Sequence, residues 1–353
     1  MSNPNLPNGY NSHIAVLKGI AMLGIIWEHA TLSFSIPVID RIPTMLMLPL
    51  FVIASGYCFK DVYVTHRQEY VKKRIKSLYW PFVKWGAVFV LLHNVFCRIG
   101  FYPAGTPLYS WHDMAARVPH IIVMHSPETL VGANWFITEL FFGCMLFIAF
   151  VPLIRRWPLA WVAGFALVAA ALNVTGFHIR LRDVSFMCAS YYTLGYLVRR
   201  VNIAHGWPVI ALMAALFALG SLTVPGNFSK MNAMWLIPNY ATVIAGSWAV
   251  AGIAWHIAAS GRWMGRCLAY IGNRTLIILV LHFTAMHLVS WALVATMHLS
   301  HDYVAQHPVI TSLVWSWPIY FAAGVAVPLA FDWMTAKVGE YSKAWWNKHR
   351  HKA

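Results

Sequence analysis

Charged residues are scarce in this sequence, and acidic residues are the scarcest of them. Charged side chains make up 10% of the 353 residues, with 11 Asp and Glu against 26 Lys and Arg, whereas 59% of the residues are hydrophobic. Because a soluble domain carries about 25% charged residues, this composition excludes an ordinary soluble protein. The mean hydropathy of +0.60 points the same way, and the fold class that we predict is an all-α polytopic membrane protein.

Paired cysteines, internal repeats and a leader-cleavage site are also missing. The five cysteines show no Cys-x-x-Cys spacing, so neither a metal site nor a disulfide framework is predicted. No internal repeat of the kind that marks many transporters is present. The first apolar segment is too long for the core of a signal peptide and lacks a small-residue cleavage site after it, so we expect no cleaved leader.

Ten apolar segments predict about ten transmembrane helices in a single membrane domain over residues 1–353. Basic residues test this count, because 18 Lys and Arg lie in the even-numbered connections and the C-terminal tail, against six in the odd-numbered connections. The alternation predicts cytoplasmic termini, with a short N-terminus at 1–13 and a basic tail at 335–353. It also accounts for the net charge of +15 without nucleic acid as a partner. The predicted ranges are 14–36, 43–59, 79–97, 134–154, 157–174, 184–198, 207–223, 239–259, 275–298 and 308–334.

The longest outer loop, residues 98–133, carries three histidines, His112, His120 and His125. Its segment Met114–Met124 is apolar enough to lie on the membrane or dip into it. We prefer an interfacial helix with solvated histidines to a metal site, although a long loop in a compact domain is often functional.

The first predicted helix carries ionisable residues at membrane depth. Lys18 and His29 are eleven residues apart, so both side chains fall on one face, about 16 Å apart along the axis. An ionisable side chain inside a membrane is a functional-site hypothesis by default, because it is costly unless it faces protein or water. From these residues alone two interpretations stay open: a functional pair, or a snorkelling Lys18 with a hydrogen-bonded interhelical His29.

Two other spans carry unusual charges. Four cations lie within five residues at the start of the third span, namely Lys72, Lys73, Arg74 and Lys76. Such a cluster binds lipid headgroups or the phosphates of a soluble cofactor. In the fourth span, Glu139 lies one turn deeper than Trp135 and needs a partner, for which His29 is the most economical candidate. The alternative is a protonated Glu139 bonded to a backbone carbonyl.

The ordered set of motifs resembles the acyltransferase 3 family of integral-membrane O-acyltransferases, here as a stand-alone membrane domain. The matches run through most of the chain in the family's order. One departure concerns the third helix, where the family has Arg-x-x-Arg and this chain has Arg74-Ile75-Lys76-Ser77, with Lys73-x-x-Lys76 as a shifted alternative. The matching segments are Lys18 to His29, Pro49-Leu50-Phe51-Val52-Ile53-Ala54-Ser55-Gly56-Tyr57, Trp135-Phe136-Ile137, Leu194-Gly195-Tyr196-Leu197, and Tyr270-Ile271-Gly272-Asn273 to Leu281-His282.

The resemblance implies an enzyme of a bacterial cytoplasmic membrane that moves an acyl group from acetyl-CoA, or another acyl-CoA, to a sugar hydroxyl of a surface or exported glycan. It implies His29 as the general base or a transient acyl carrier, with Glu139 beside it as a second catalytic residue. The donor would be held by Lys18, Lys73, Arg74 and Lys76, and the weaker substrate-binding candidates are Trp135, Tyr192, Asn273 and His282.

The implied partners are acyl-CoA, a glycan or lipid-linked sugar acceptor, membrane lipids and a second copy of the chain in a homo-oligomer, with no tightly bound cofactor. The competing class is a proton-coupled secondary transporter that uses Lys18, His29 and Glu139 as a relay. The missing repeats and the cytoplasmic cations favour the enzyme.

Overall fold

The ordered elements of the chain are helices. The computed structural model describes residues 12–32, 39–126, 128–176, 183–201, 205–225, 228 and 233–350, and within these ranges no β-strand occurs. The α-helices are α1 Ser12–Ala30, α2 Leu48–Tyr57, α3 Arg67–Arg74, α4 Trp80–Arg98, α5 Trp111–Ile122, α6 Asn134–Arg156, α7 Pro158–Thr175, α8 Asp183–Val198, α9 Trp207–Thr223, α10 Leu236–Ala259, α11 Trp263–Gly272, α12 Thr275–Met297 and α13 Trp317–Arg350.

Every one of the ten predicted spans contains an α-helix. Seven helical segments within the described ranges are long and apolar enough to cross a membrane, and Pro43–Tyr57 and Trp207–Thr223 are shorter apolar helices. The chain is therefore an all-α polytopic membrane protein. The seven long segments are Ser12–Ala30, Arg67–Arg98, Asn134–Arg156, Pro158–Thr175, Leu236–Ala259, Thr275–Met297 and Val314–Ser342.

Two predicted boundaries were wrong. The first predicted helix was to run to residue 36, whereas α1 ends at Ala30 and residues 33–36 lie outside the described part of the chain. The last was to begin at residue 308, whereas α13 begins at Trp317. The residues between 308 and Trp317 are not part of this α-helix. A hydrogen bond of 3.2 Å from the backbone amide of Ile310 to the hydroxyl of Tyr320 joins this segment to α13.

Two wide turns interrupt the helices, and each precedes a proline by two residues. The π-helical turn Pro43–Met47 comes before Pro49, and the turn Ile75–Tyr79 comes before Pro81. Proline has no N–H to donate to the carbonyl four residues earlier, and its ring crowds that carbonyl. An α-helix would therefore lose a backbone hydrogen bond here, and the helix instead widens into a π turn. The second turn joins α3 to α4 in one rod, Arg67–Arg98.

Glycines set the closest helix crossings. A Cβ at Gly56 of α2 would lie 2.0 Å from the carbonyl oxygen of Tyr192 in α8, and one at Gly195 would lie 2.0 Å from that of Ile53. Near the N-terminal end of α1, a Cβ at Gly272 would lie 1.8 Å from the carbonyl oxygen of Ala15. Only glycine permits backbones to approach this closely, so these positions fix α2 on α8 and α11 on α1.

The outer-loop helix α5 descends beside α4. A capping box between Ser110 and Asp113 starts it, and the hydrogen bonds from Ser110 lower the pKa of the Asp113 carboxyl. The segment from Tyr109 to Ile122 runs antiparallel to α4 and the turn before it. The backbone of Tyr109 pairs with the Asn94 side chain in α4, and the hydroxyl of Tyr79, in the turn before α4, donates 3.0 Å to the carbonyl of Ile122. His112, His120 and His125 are exposed, and the interfacial placement of α5 stays a prediction.

Candidate active site

His29, near the end of α1, faces a second imidazole. Its ring stacks on that of His282 in α12, with centroids 5.3 Å apart and planes inclined by 23°. Phe283 approaches the same ring edge-on, with centroids 4.8 Å apart. The two histidines and the phenylalanine therefore form the interface between α1 and α12 at this depth.

Two more histidines, His307 and His287, lie between this interface and the outer loop. Phe283 contacts His307, which follows α12 in sequence, at 4.5 Å between centroids, and His307 lies 5.3 Å from His287 of α12. Phe101 of the outer loop covers His287 at 5.4 Å. Burial lowers the pKa of His307, so this ring is neutral near pH 7.

A set of outer-loop contacts holds Phe101 in place. The Tyr102 hydroxyl donates 2.6 Å to the carboxylate of Glu128, which also bonds Nδ1 of the buried His93 in α4 at 3.0 Å. The Tyr109 ring stacks on His93 at 3.5 Å, and the Arg117 guanidinium lies 4.1 Å over Tyr109. Burial, followed by the nearby Glu128 carboxylate, raises the pKa of Tyr109 to about 12.

Three of the four cations predicted to bind the donor lie near one another. The half-buried ammonium of Lys18 interacts electrostatically with Arg74 and Lys73, and also with Cys58 at the end of α2. Lys73 lies 3.5 Å from the hydroxyl of Tyr63 and is exposed. Lys76 is exposed on the wide turn after α3. Lys18, Lys73 and Arg74 thus form one positive cluster, with Lys76 two residues further along the rod.

Two tyrosines orient Arg74. Its Nη2 donates 3.0 Å to the hydroxyl of Tyr192, and its guanidinium lies 4.9 Å over the ring of Tyr70. The Tyr70 hydroxyl donates 2.8 Å to the same Tyr192 oxygen. The Nε of Arg74 is buried and has no hydrogen-bond partner. Tyr192, predicted as a substrate contact, is placed here as a support for the cation.

Glu139 lies on another pair of helices. It is 3% exposed on α6 and accepts a 2.5 Å hydrogen bond from Ser185 of α8. His29, by contrast, lies at the interface of α1 with α12. Direct pairing of Glu139 with His29 stays a prediction.

The remaining candidates lie at the two ends of the bundle. Trp135, in the first turn of α6, is half-buried and packs edge-on against Phe136. Its neighbour Asn134 is 0% exposed, and neither atom of its amide has a hydrogen-bond partner. Asn273 is exposed at the end of α11, directly after the Gly272 contact with α1. Among the described residues no group of three His, Cys, Asp or Glu side chains is placed to hold a metal ion.

Sequence reasoning missed Tyr70 and His307. Tyr70 lies one helical turn before Arg74, so the i to i+4 spacing was a usable signal. His307 lies in a connection between two helices, and its position beside Phe283 depends on how the chain returns after α12. No local pattern marks it.

Comparison with known proteins identifies the family. No curated protein and no solved structure matches the chain. A family model described as an acyltransferase domain matches residues 11–333, nearly the whole chain, including all the candidate residues above. The chain therefore belongs to the acyltransferase 3 family of membrane acyltransferases.

Proposed function

We propose that this protein transfers an acetyl group from cytoplasmic acetyl-CoA to a sugar hydroxyl of an exported or cell-surface polysaccharide or glycolipid, in a bacterial inner membrane. The observation that carries the proposal is the placement of two functional groups on α1. Lys18 joins Arg74 and Lys73 in a positive cluster, and His29 lies on the same helix beside His282.

The positive cluster suits the phosphates of coenzyme A. A phosphate needs several N–H donors in a partly dehydrated place, and guanidinium binds it through paired, charge-assisted hydrogen bonds. Arg74 is held by Tyr70 and Tyr192 and still has a buried Nε with no partner. A buried donor without a partner costs about 1–3 kcal/mol, which a bound anion would recover.

The single helix α1 supports a donor that reaches from this cluster to His29. The eleven residues between Lys18 and His29 span about 16 Å of axis. The pantetheine arm of coenzyme A is a long, flexible chain that would place the thioester toward the imidazole, while the phosphates stay at the cytoplasmic end.

Two routes fit an imidazole at this position. In the first, neutral His29 accepts the proton of the sugar hydroxyl, whose oxygen attacks the thioester carbon. The C–S bond breaks, and the proton passes to the thiolate. In the second, a neutral His29 nitrogen attacks the thioester carbon, the C–S bond breaks and coenzyme A leaves as the thiolate. The hydroxyl oxygen then attacks the acyl carbon, the C–N bond to the imidazole breaks, and the hydroxyl proton ends on the thiolate.

The proposal is tested with labelled acetyl-CoA and the purified full-length chain in lipid nanodiscs. A panel of alkyl glycosides serves as acceptors, and ester formation is measured. We expect transfer by the wild type and almost none by His29→Ala. The control is His125→Ala, which removes an exposed histidine of the outer loop. Full activity of a well-folded His29→Ala variant would remove His29 from the reaction.

A further inference from the structure

His282 is held in one tautomer by the backbone of its own helix. Its Nδ1 lies 3.0 Å from the carbonyl oxygen of Ile278, one turn earlier in α12. A carbonyl oxygen only accepts, so Nδ1 must carry the hydrogen. In the neutral ring Nε2 is then an unprotonated acceptor, and the backbone bond fixes the direction in which it points.

That acceptor nitrogen is buried and unused. His282 is 0% exposed, and Nε2 has no hydrogen-bond partner. Leaving a buried acceptor unpaired costs about 1–3 kcal/mol, and such atoms occur at places that receive a ligand or a water. An O–H group would donate the hydrogen bond that this nitrogen lacks.

The position of the ring connects this acceptor to His29. The two imidazoles stack in nearly parallel planes, 5.3 Å between centroids, and Phe283 contacts both rings. An O–H group bound at Nε2 of His282 therefore lies beside His29. His287 makes the same kind of backbone bond, at 2.9 Å to the carbonyl oxygen of Phe283, but it lies more than one turn further along α12.

We propose that His282 is the general base that takes the proton from the acceptor hydroxyl, while His29 faces the donor. The inference rests on the proposed function. As the O–H bond breaks, the proton moves to Nε2 of His282 and the oxygen bonds to the acyl carbon. The bond from that carbon to its donor atom breaks, whether this atom is the sulfur of coenzyme A or a nitrogen of acylated His29. The proton then returns from Nε2 to the departing atom.

The test separates proton removal from binding by comparing two acceptors. The full-length protein in nanodiscs is given labelled acetyl-CoA with either octyl glucoside, whose hydroxyls need a base, or hydroxylamine, which reacts without one. The direct reaction of hydroxylamine with acetyl-CoA is measured without protein and subtracted, so that each rate is the enzyme-dependent rate. In His282→Gln the amide oxygen still accepts a hydrogen bond but takes up no proton. We expect kcat for the glucoside to fall about 100-fold or more, the usual size of general-base catalysis. The KM for acetyl-CoA and the rate with hydroxylamine should stay near wild-type values.

Two further variants complete the design. His282→Phe removes the acceptor altogether and should also raise KM for octyl glucoside. His287→Gln alters the neighbouring histidine with the same backbone bond, and both rates should stay unchanged. Equal losses with both acceptors in a folded His282→Gln variant, or no loss with either, would overturn the assignment to His282. Failure of the wild type with both acceptors would overturn the proposed function itself.

Discussion

The crossing of α2 and α8 offers the sharpest test of how the fold supports the cation cluster. A Cβ at Gly56 would lie 2.0 Å from the carbonyl oxygen of Tyr192, and real Cβ atoms essentially never come within 3.0 Å of another atom. Gly56→Ala must therefore separate the two backbones by at least 1 Å. Overpacking of this kind typically costs about 1–3 kcal/mol of unfolding free energy.

The same separation affects Arg74. The hydroxyl of Tyr192 accepts the 3.0 Å hydrogen bond from Arg74, so a shift of α8 weakens that bond. We expect Gly56→Ala to lower both the unfolding temperature and the affinity for acetyl-CoA. The reciprocal change Gly195→Ala meets the carbonyl of Ile53 at 2.0 Å and should cost a similar amount. Because one displacement relieves both clashes, the double variant should lose less than the sum of the two single losses.

Unfolding is measured in detergent with a thiol-reactive dye, since Cys144 and Cys188 are buried and react only when the bundle opens. The control is Gly164→Ala in α7, where an added Cβ meets nothing within 4 Å. This control should not lose stability, because alanine favours the helix over glycine. If Gly56→Ala unfolds at the same temperature as Gly164→Ala, the two helices separate without a loss of stability, and this prediction is wrong.

Four further predictions concern single side chains. Arg74→Ala should weaken acetyl-CoA binding and flatten its salt dependence, whereas Arg155→Ala, which removes an exposed cation elsewhere, should do neither. Asn134→Leu should raise the unfolding temperature, because it removes two buried amide atoms without partners, and a fall would show that something pairs with them. Burial holds the pKa of His307 below 6.5, so its contribution to stability is lost as pH falls below that value. In His307→Asn, thermal unfolding should therefore show a smaller loss of stability in acid than the wild type shows. Glu139→Gln should keep the fold, since glutamine still accepts from Ser185, and should lower transfer sharply with a changed pH profile.

Length and hydropathy were sufficient to locate the helices that cross the membrane, because those helices need a long apolar run whatever they pack against. They were not sufficient for α11, whose ten residues include Arg266 and whose position depends on the Gly272 contact with Ala15. The early end of α1 and the late start of α13 were missed for the same reason. The sequence stays apolar beyond the end of a helix when the neighbouring segment is also buried. Val309 and Ile310, which precede α13, are such buried apolar residues.

For the site, periodicity predicted which residues share a helix face, but not which helices meet. Lys18 and His29 lie on one helix, as their spacing requires. Pairing Glu139 with His29 rested on similar depth, and depth alone leaves many partners available. The structure supplies Ser185 as a hydrogen-bond donor to Glu139 from a helix 46 residues later in sequence, and the sequence contains no signal for that choice.

The segment from α11 to α12 contacts α1 at both ends of the candidate site. Near the N-terminal end of α1, Gly272 packs on the backbone of Ala15, one turn before Lys18. Ten residues further along the segment, His282 stacks on His29. The two helical segments run in the same direction. The contacts Gly272–Ala15 and His282–His29 therefore set the positions of the cation cluster and of the imidazoles along α1 together. A change at Gly272 should therefore disturb donor binding and transfer together, whereas a change at His282 should disturb transfer and leave donor binding unchanged.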